Sequence, residues 1–132
     1  MNCVSIRIIT DDIKRLVAFY GEVTAIAPAW LTEDFAEIAT PSCTLAIAST
    51  RTLQFFDAGD MRAGANRSAI VEFIVADVDA EFERLKPALA DVVQPPRTMP
   101  WGNRSLLFRD PDGALVNLFT PVTEQARKKF GV

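Results

Sequence analysis

The 132-residue chain contains no histidine, only two cysteines and a single tyrosine. Without imidazole there can be no Ser-His-Asp or Cys-His arrangement, no histidine metal ligand and no ordinary histidine acid/base step. Cys3 and Cys43 form neither a close pair nor a zinc-type cluster, and both read as apolar strand residues. No apolar run is long enough to span a bilayer, so no membrane partner is expected. The amino terminus lacks the basic region, apolar stretch and cleavage pattern of a secretory signal, which makes a cytoplasmic location the expectation. The formal charge is -3 and the sequence pI about 4.9, an average field that repels a polyanion. The Arg and Lys residues are scattered rather than gathered on one stretch, so nucleic acid is not an expected partner.

What is present is the composition of a folded protein: 49% hydrophobic and 23% charged residues, in a length suited to a single domain, 1-132. Val4 to Ile9 reads as a strand, and Asp11 or Asp12 can cap a helix whose Ile13, Leu16, Val17 and Tyr20 recur on one face. Gly21 is expected to stop or loosen that helix. After a crossing segment to Trp30, three short strands are expected around Phe35–Ala39, Cys43–Ala48 and Thr52–Phe56.

The pattern then starts again. Ile70 to Val75 reads as a strand, Asp77 as a cap, and Val78, Phe82, Leu85 and Leu89 as the apolar side of a second helix. Aligning Asp12 with Asp77 also pairs Ile9 with Ile74, Ile13 with Val78 and Val17 with Phe82, which supports an internal duplication. Pro87 weakens the second helix, and Pro95-Pro96 disturbs pairing after a short edge strand at Val92–Gln94. A polar tail from Thr123 to Lys129 can form one or two helical turns. The expected fold class is α+β, with tandem βαβββ modules at 1-59 and 67-122 joined by a 60-66 linker. Eight strands would form a curved mixed sheet around a cleft, with two helices outside.

The second module closes on two antiparallel strands joined by Asp110-Pro111-Asp112-Gly113, a turn in which aspartate caps, proline fixes φ and glycine relieves the exit. Trp101-Gly102-Asn103-Arg104 enters this hairpin, and Phe108-Arg109-Asp110-Pro111-Asp112-Gly113 forms its turn. These two blocks resemble the closing module of the glyoxalase / bleomycin-resistance / extradiol-dioxygenase family, also called the vicinal oxygen chelate family. The resemblance implies metal ligands on the first strand of each module, on the fourth strand and on the last strand. Those positions fall on Ser5, Ile70, Gln54 and Asn117, the last standing where the family carries a glutamate. Isoleucine has no lone pair, and serine and two amides cannot balance the charge of a catalytic transition metal. No metal and no other cofactor is therefore expected, and the chain is closest in character to metal-free, resistance-type members.

Within the expected cleft, Glu72 lies two residues beyond Ile70 on the same strand face and can bind a ligand donor, act as a base, or pair with Arg7 or Arg104. Arg7 and Arg104 offer forked donation to a carboxylate or phenolate group, or internal ion pairs. Trp30 and Trp101 can cover a cleft mouth or serve as packing. Asn117 can donate and accept at once. Phe35, Phe56, Phe73 and Phe119 read as core. The candidate ligand-binding set is thus Arg7, Trp30, Gln54, Glu72, Trp101, Arg104 and Asn117.

The function expected from this set is metal-independent binding or sequestration of a small aromatic, heteroaromatic or otherwise amphipathic molecule. Two alternatives stand beside it: a metal-independent lyase or isomerase using Glu72, and a structural or regulatory dimer without a ligand. The resemblance also implies a homodimer.

Overall fold

The computed structural model describes residues 1–132 as two compact units, Met1–Asn66 and Arg67–Val132. In the first unit β1 (Ser5–Thr10) leads into α1 (Ile13–Thr24), followed by β2 (Ala29–Thr32), β3 (Phe35–Ala39) and β4 (Thr44–Ser49). The Asp12 carboxylate caps α1 by accepting from the Arg15 amide, and Ile13, Leu16, Val17, Tyr20 and Val23 are its buried stripe. That stripe packs on β3 and β4, where Ala36, Ile38, Leu45 and Ile47 are buried. Gly21 does not end the helix. It sits inside α1 with Pro28 so close that an added Cβ would lie 3.1 Å from the Pro28 ring, and the helix ends at Ala25 in the left-handed region, φ 54°.

The sheet of the first unit runs β1-β4-β3-β2, with β1 and β4 parallel and the other neighbours antiparallel. The strand expected at Thr52–Phe56 is instead a 3-10 helix over Thr50–Phe55. Ser49 accepts from the Arg51 amide while the Thr52 hydroxyl donates back to the Ser49 carbonyl, so short polar side chains turn the chain where a hydrophobic count suggested extension. Phe56, expected in the core, follows that turn and is exposed. The missing strand is supplied by Ala29–Thr32, so that Trp30 lies in β2 rather than in a connection.

The second unit repeats the order with β5 (Ile70–Ile74), α2 (Val78–Leu85), β6 (Val92–Thr98), β7 (Asn103–Arg109) and β8 (Leu115–Pro121), then adds α3 (Glu124–Phe130). Asp77 caps α2 by accepting from the Asp79 and Ala80 amides, and Pro87 turns the chain into a 3-10 segment, Lys86–Ala88. The Thr123 hydroxyl accepts from the Ala126 amide, which starts α3, and Gly131 at φ 71° ends it. The sheet order is β5-β8-β7-β6, again with one parallel pair, β5 and β8.

The expectation of one curved mixed sheet around a cleft is corrected here: the eight strands form two separate four-stranded sheets, neither of them closed. Local chemistry accounts for where each sheet stops. Pairing of β2 shifts register between Trp30 and Thr32, and that of β6 shifts between Val92 and Gln94 and again between Gln94 and Arg97, across Pro95 and Pro96, which have no amide hydrogen to donate. An edge without regular donors does not recruit a further strand.

Candidate functional site

Strand alternation sorts the second sheet into two faces. One carries Leu106, Phe108, Val116 and Leu118, all fully buried or nearly so, under Val78 and Leu85 of α2. Arg104 belongs to this helix-covered face: its guanidinium donates through Nε and an Nη to the two Asp79 carboxylate oxygens at 2.7 and 2.8 Å. This hydrogen bonding, with the attraction of the opposite charge, lowers the Asp79 carboxyl pKa and raises that of Arg104.

The opposite face carries a different chemistry. By register, Glu72 lies directly across from Asn117, Asn117 across from Leu107, and Leu107 across from Gln94. Ser105 pairs with Phe119, and Ile74 pairs with the other side of Phe119. Asn117 Nδ2 donates to Glu72 Oε2 at 2.7 Å. Because the nitrogen is engaged, the carbonyl end of the Asn117 amide is the open one, and Oδ1 is buried with no partner. Ser105 Oγ and Asn103 Oδ1 on the same face are also buried without partners. Asn117, Ser105 and Asn103 are 8%, 3% and 8% exposed. Buried polar atoms are nearly always satisfied, so one orphan next to the exposed Glu72 carboxylate and two more along β7 mark this face as the chemically unfinished part of the unit.

Aromatic surface borders it. The Phe119 and Phe130 rings lie 5.1 Å apart at 54°, which seats α3 against the end of β8. At the carboxyl ends of the parallel pair β5 and β8 an open hollow of about 390 Å³ is walled by Ile74, Thr120, Pro121, Arg127 and Val132, among others. Arg127 Nε donates to the Pro121 carbonyl at its rim.

The candidate residues read from the sequence are distributed as follows. Glu72 and Asn117 come together. Trp101 sits 64% exposed in the tight turn before β7, closed by the Gly102 amide donating to the Met99 carbonyl. Arg7, Trp30 and Gln54 belong to the first unit. Arg7 lies over the Phe35 ring at 5.0 Å, Trp30 stands opposite Ala36 in the edge strand, and Gln54 is exposed in the 3-10 helix rather than on a fourth strand. Glu72 is paired with Asn117, not with Arg7 or Arg104 as the internal ion-pair expectation had it.

Sequence reasoning passed over Ser105 and Asn103, and over Phe130 as an aromatic partner of Phe119. The alternation Asn103, Ser105, Leu107 along β7 carries the signal for the first two, and Thr123 as a helix cap carries it for the third.

A transition metal does not fit the donors present. The register sets Glu72, not Ile70, beside Asn117, leaving Ile70 across from Leu115. Ile70 offers no lone pair, the Asn117 nitrogen faces a carboxylate, and no three or more His, Cys, Asp or Glu side chains are grouped to hold an ion. No helix is long and apolar enough to cross a membrane.

Comparison with known proteins gives a consistent answer about the fold. The profile described as "Glyoxalase/Bleomycin resistance protein/Dioxygenase superfamily" matches residues 3–118. No curated protein matches the sequence. A glyoxalase-related enzyme from Fulvimarina pelagi is 23% identical with a TM-score of 0.77, covering 91% of this chain and 88% of that one. A glyoxalase/bleomycin resistance protein/dioxygenase from Nocardioides is 20% identical with a TM-score of 0.74, covering 94% and 85%. TioX from Micromonospora sp. ML1 is 24% identical with a TM-score of 0.70, covering 92% and 100%. At these identities the likeness is one of fold.

Proposed function

Because the chain belongs to the glyoxalase/bleomycin resistance protein/dioxygenase superfamily, we propose that it is a metal-independent binder of a small aromatic or heteroaromatic molecule, held on the face of the second sheet opposite α2. The observation that carries this reading is the set of buried, unpartnered atoms Asn117 Oδ1, Ser105 Oγ and Asn103 Oδ1 on the face that also carries Glu72. An unsatisfied buried acceptor costs roughly 1–3 kcal/mol, and a ligand that supplies its hydrogen bond recovers that cost on binding.

The surroundings suit a planar molecule. Ile70, Ile74, Leu107 and the Phe119–Phe130 pair give apolar and aromatic walls, while a few polar groups fix orientation. The hollow beside Ile74 has the volume of a small ring system. The proposed contacts are therefore Glu72, Asn117 and Ser105, with Trp101 able to fold over from its turn. The superfamily resemblance also carries a homodimer into this proposal, and the exposed apolar side chains of Val4 and Ile6 on and before β1 support it by leaving area to cover.

The test is a thermal-shift and calorimetric titration of the purified protein against planar heteroaromatic compounds, repeated with Ser105→Ala and Asn117→Leu. Saturable binding of one molecule per chain, weakened in both variants, is the expected result. Absence of any shift at millimolar ligand would refute the proposal. Sedimentation equilibrium of the same samples tests the dimer.

A further inference from the structure

The atoms that await a partner on this face are nearly all acceptors. Asn117 spends one amide hydrogen on Glu72, and its carbonyl oxygen is left buried without a partner. Asn103 leaves Oδ1 unpartnered, and the Ser105 hydroxyl can accept as well as donate. Glu72 contributes a carboxylate that takes part in no salt bridge, its one hydrogen bond coming from a neutral amide.

No cation of the second unit is bonded to Glu72 or Asn117. Arg104 is bound to Asp79 on the opposite face, and Arg109 donates to the Gly113 carbonyl beside the turn. Arg97 donates to Gln94 and, although it is the register partner of Ser105, lies on β6, the far edge of the sheet from the Glu72 strand β5, about 14 Å away at the usual strand spacing. Arg127 bonds the Pro121 carbonyl, level with Asn103 but four residues beyond Asn117 along β8, or roughly 13 Å from it at the rise of a strand. A carboxylate next to open carbonyl and hydroxyl oxygens repels an anionic group and rewards a cationic N–H donor with charge-assisted hydrogen bonds.

We infer that the ligand presents a protonated nitrogen group, an amidinium, an ammonium or an amino-substituted heteroaromatic cation, to Glu72, Asn117 and Ser105. This inference rests on the binding function proposed above and adds to it the sign of charge and the direction of the hydrogen bonds. It also reverses the role assigned to arginine by sequence, in which forked donors would have anchored a carboxylate or phenolate. The donors belong to the ligand and the acceptors to the protein.

Three probes of one shape separate the two ideas: benzamidine, benzyl alcohol and benzoate, titrated calorimetrically into the full chain and into Glu72→Gln. Glu72 is exposed and its replacement is isosteric, so the variant keeps the fold, which circular dichroism verifies. Benzamidine is expected to bind at least tenfold more tightly than benzoate, and Glu72→Gln to remove most of that preference, weakening benzamidine far more than the uncharged benzyl alcohol. Equal or tighter binding of benzoate overturns the charge assignment and leaves the binding function standing. Failure of all three probes at millimolar concentration overturns both, and assigns the orphan acceptors to ordered water.

Discussion

Asn117 donates its side-chain amide to the Glu72 carboxylate across the parallel pair β5 and β8, at 2.7 Å. One bond thus ties the first strand of the second unit to its last. Replacing Asn117 by leucine removes that bond and, with it, a buried acceptor that has no partner. The two effects oppose each other, so stability is expected to change by less than about 1 kcal/mol. Binding of a benzamidine-type probe is expected to fall at least tenfold, read by calorimetry beside a thermal melt.

The pair Arg104–Asp79 predicts a pH dependence. Arg104 holds the Asp79 carboxyl below its ordinary range, chiefly by hydrogen bonding. A group whose folded pKa is depressed stabilises the fold above its unfolded value, about 3.9, and loses that contribution as pH falls through the lower folded value. Asp79→Asn is therefore expected to lower the melting temperature slightly at pH 7. The difference from the parent shrinks as the pH is taken below about 4. Both groups are solvent-accessible, so the effect is modest and weakens with salt. Ligand affinity should not change, because the pair lies on the face under α2.

Gly102 predicts a severe substitution in the turn between Trp101 and Asn103. Its φ is 91°, and a Cβ placed there would stand 2.1 Å from the Thr123 hydroxyl oxygen, the cap of α3. Gly102→Ala is expected to cost on the order of 1–3 kcal/mol from the backbone alone, and to displace α3 besides. Urea unfolding with fluorescence detection of the two tryptophans measures it.

Phe130 separates packing from recognition. Truncation to alanine removes an aromatic pair with Phe119 worth roughly 0.5–1.5 kcal/mol beyond its area. A comparable loss in unfolding free energy is expected, together with weaker binding of flat ligands and unchanged discrimination between benzamidine and benzoate.

Much of the architecture was written in patterns that need no tertiary knowledge. The caps Asp12 and Asp77, the buried stripe Ile13, Leu16, Val17 and Tyr20, and the Asp110–Gly113 turn are local, and each stands where its chemistry demands. Ser49 and Thr52 went unread because their hydroxyls compete with strand pairing only once the chain turns, and the apolar Leu53, Phe55 and Phe56 mask that choice. Separation into two sheets depends on irregular pairing at β2 and β6, which periodicity does not reveal.

At the site, Glu72 and Asn117 were legible as candidates, but their pairing was not. Counting from Asp77 aligned Ile70 with the family position, whereas the register makes Glu72 the neighbour of Asn117. Arg104 illustrates the same limit. Strand alternation fixes which residues share its face, yet only the packing of α2 decides that its guanidinium meets Asp79.

The two prolines of β6 have a consequence for life in a crowded cell. An open edge of amides invites a neighbouring copy to continue the ladder, and from there to template fibrils. Of the two donors that Pro95 and Pro96 lack, alternation takes one from the β7 side and one from that margin, and the register shift beside them skews the remainder. A ladder continued by a second copy along β6 would therefore be broken at the prolines, and that margin is a poor template for strand addition.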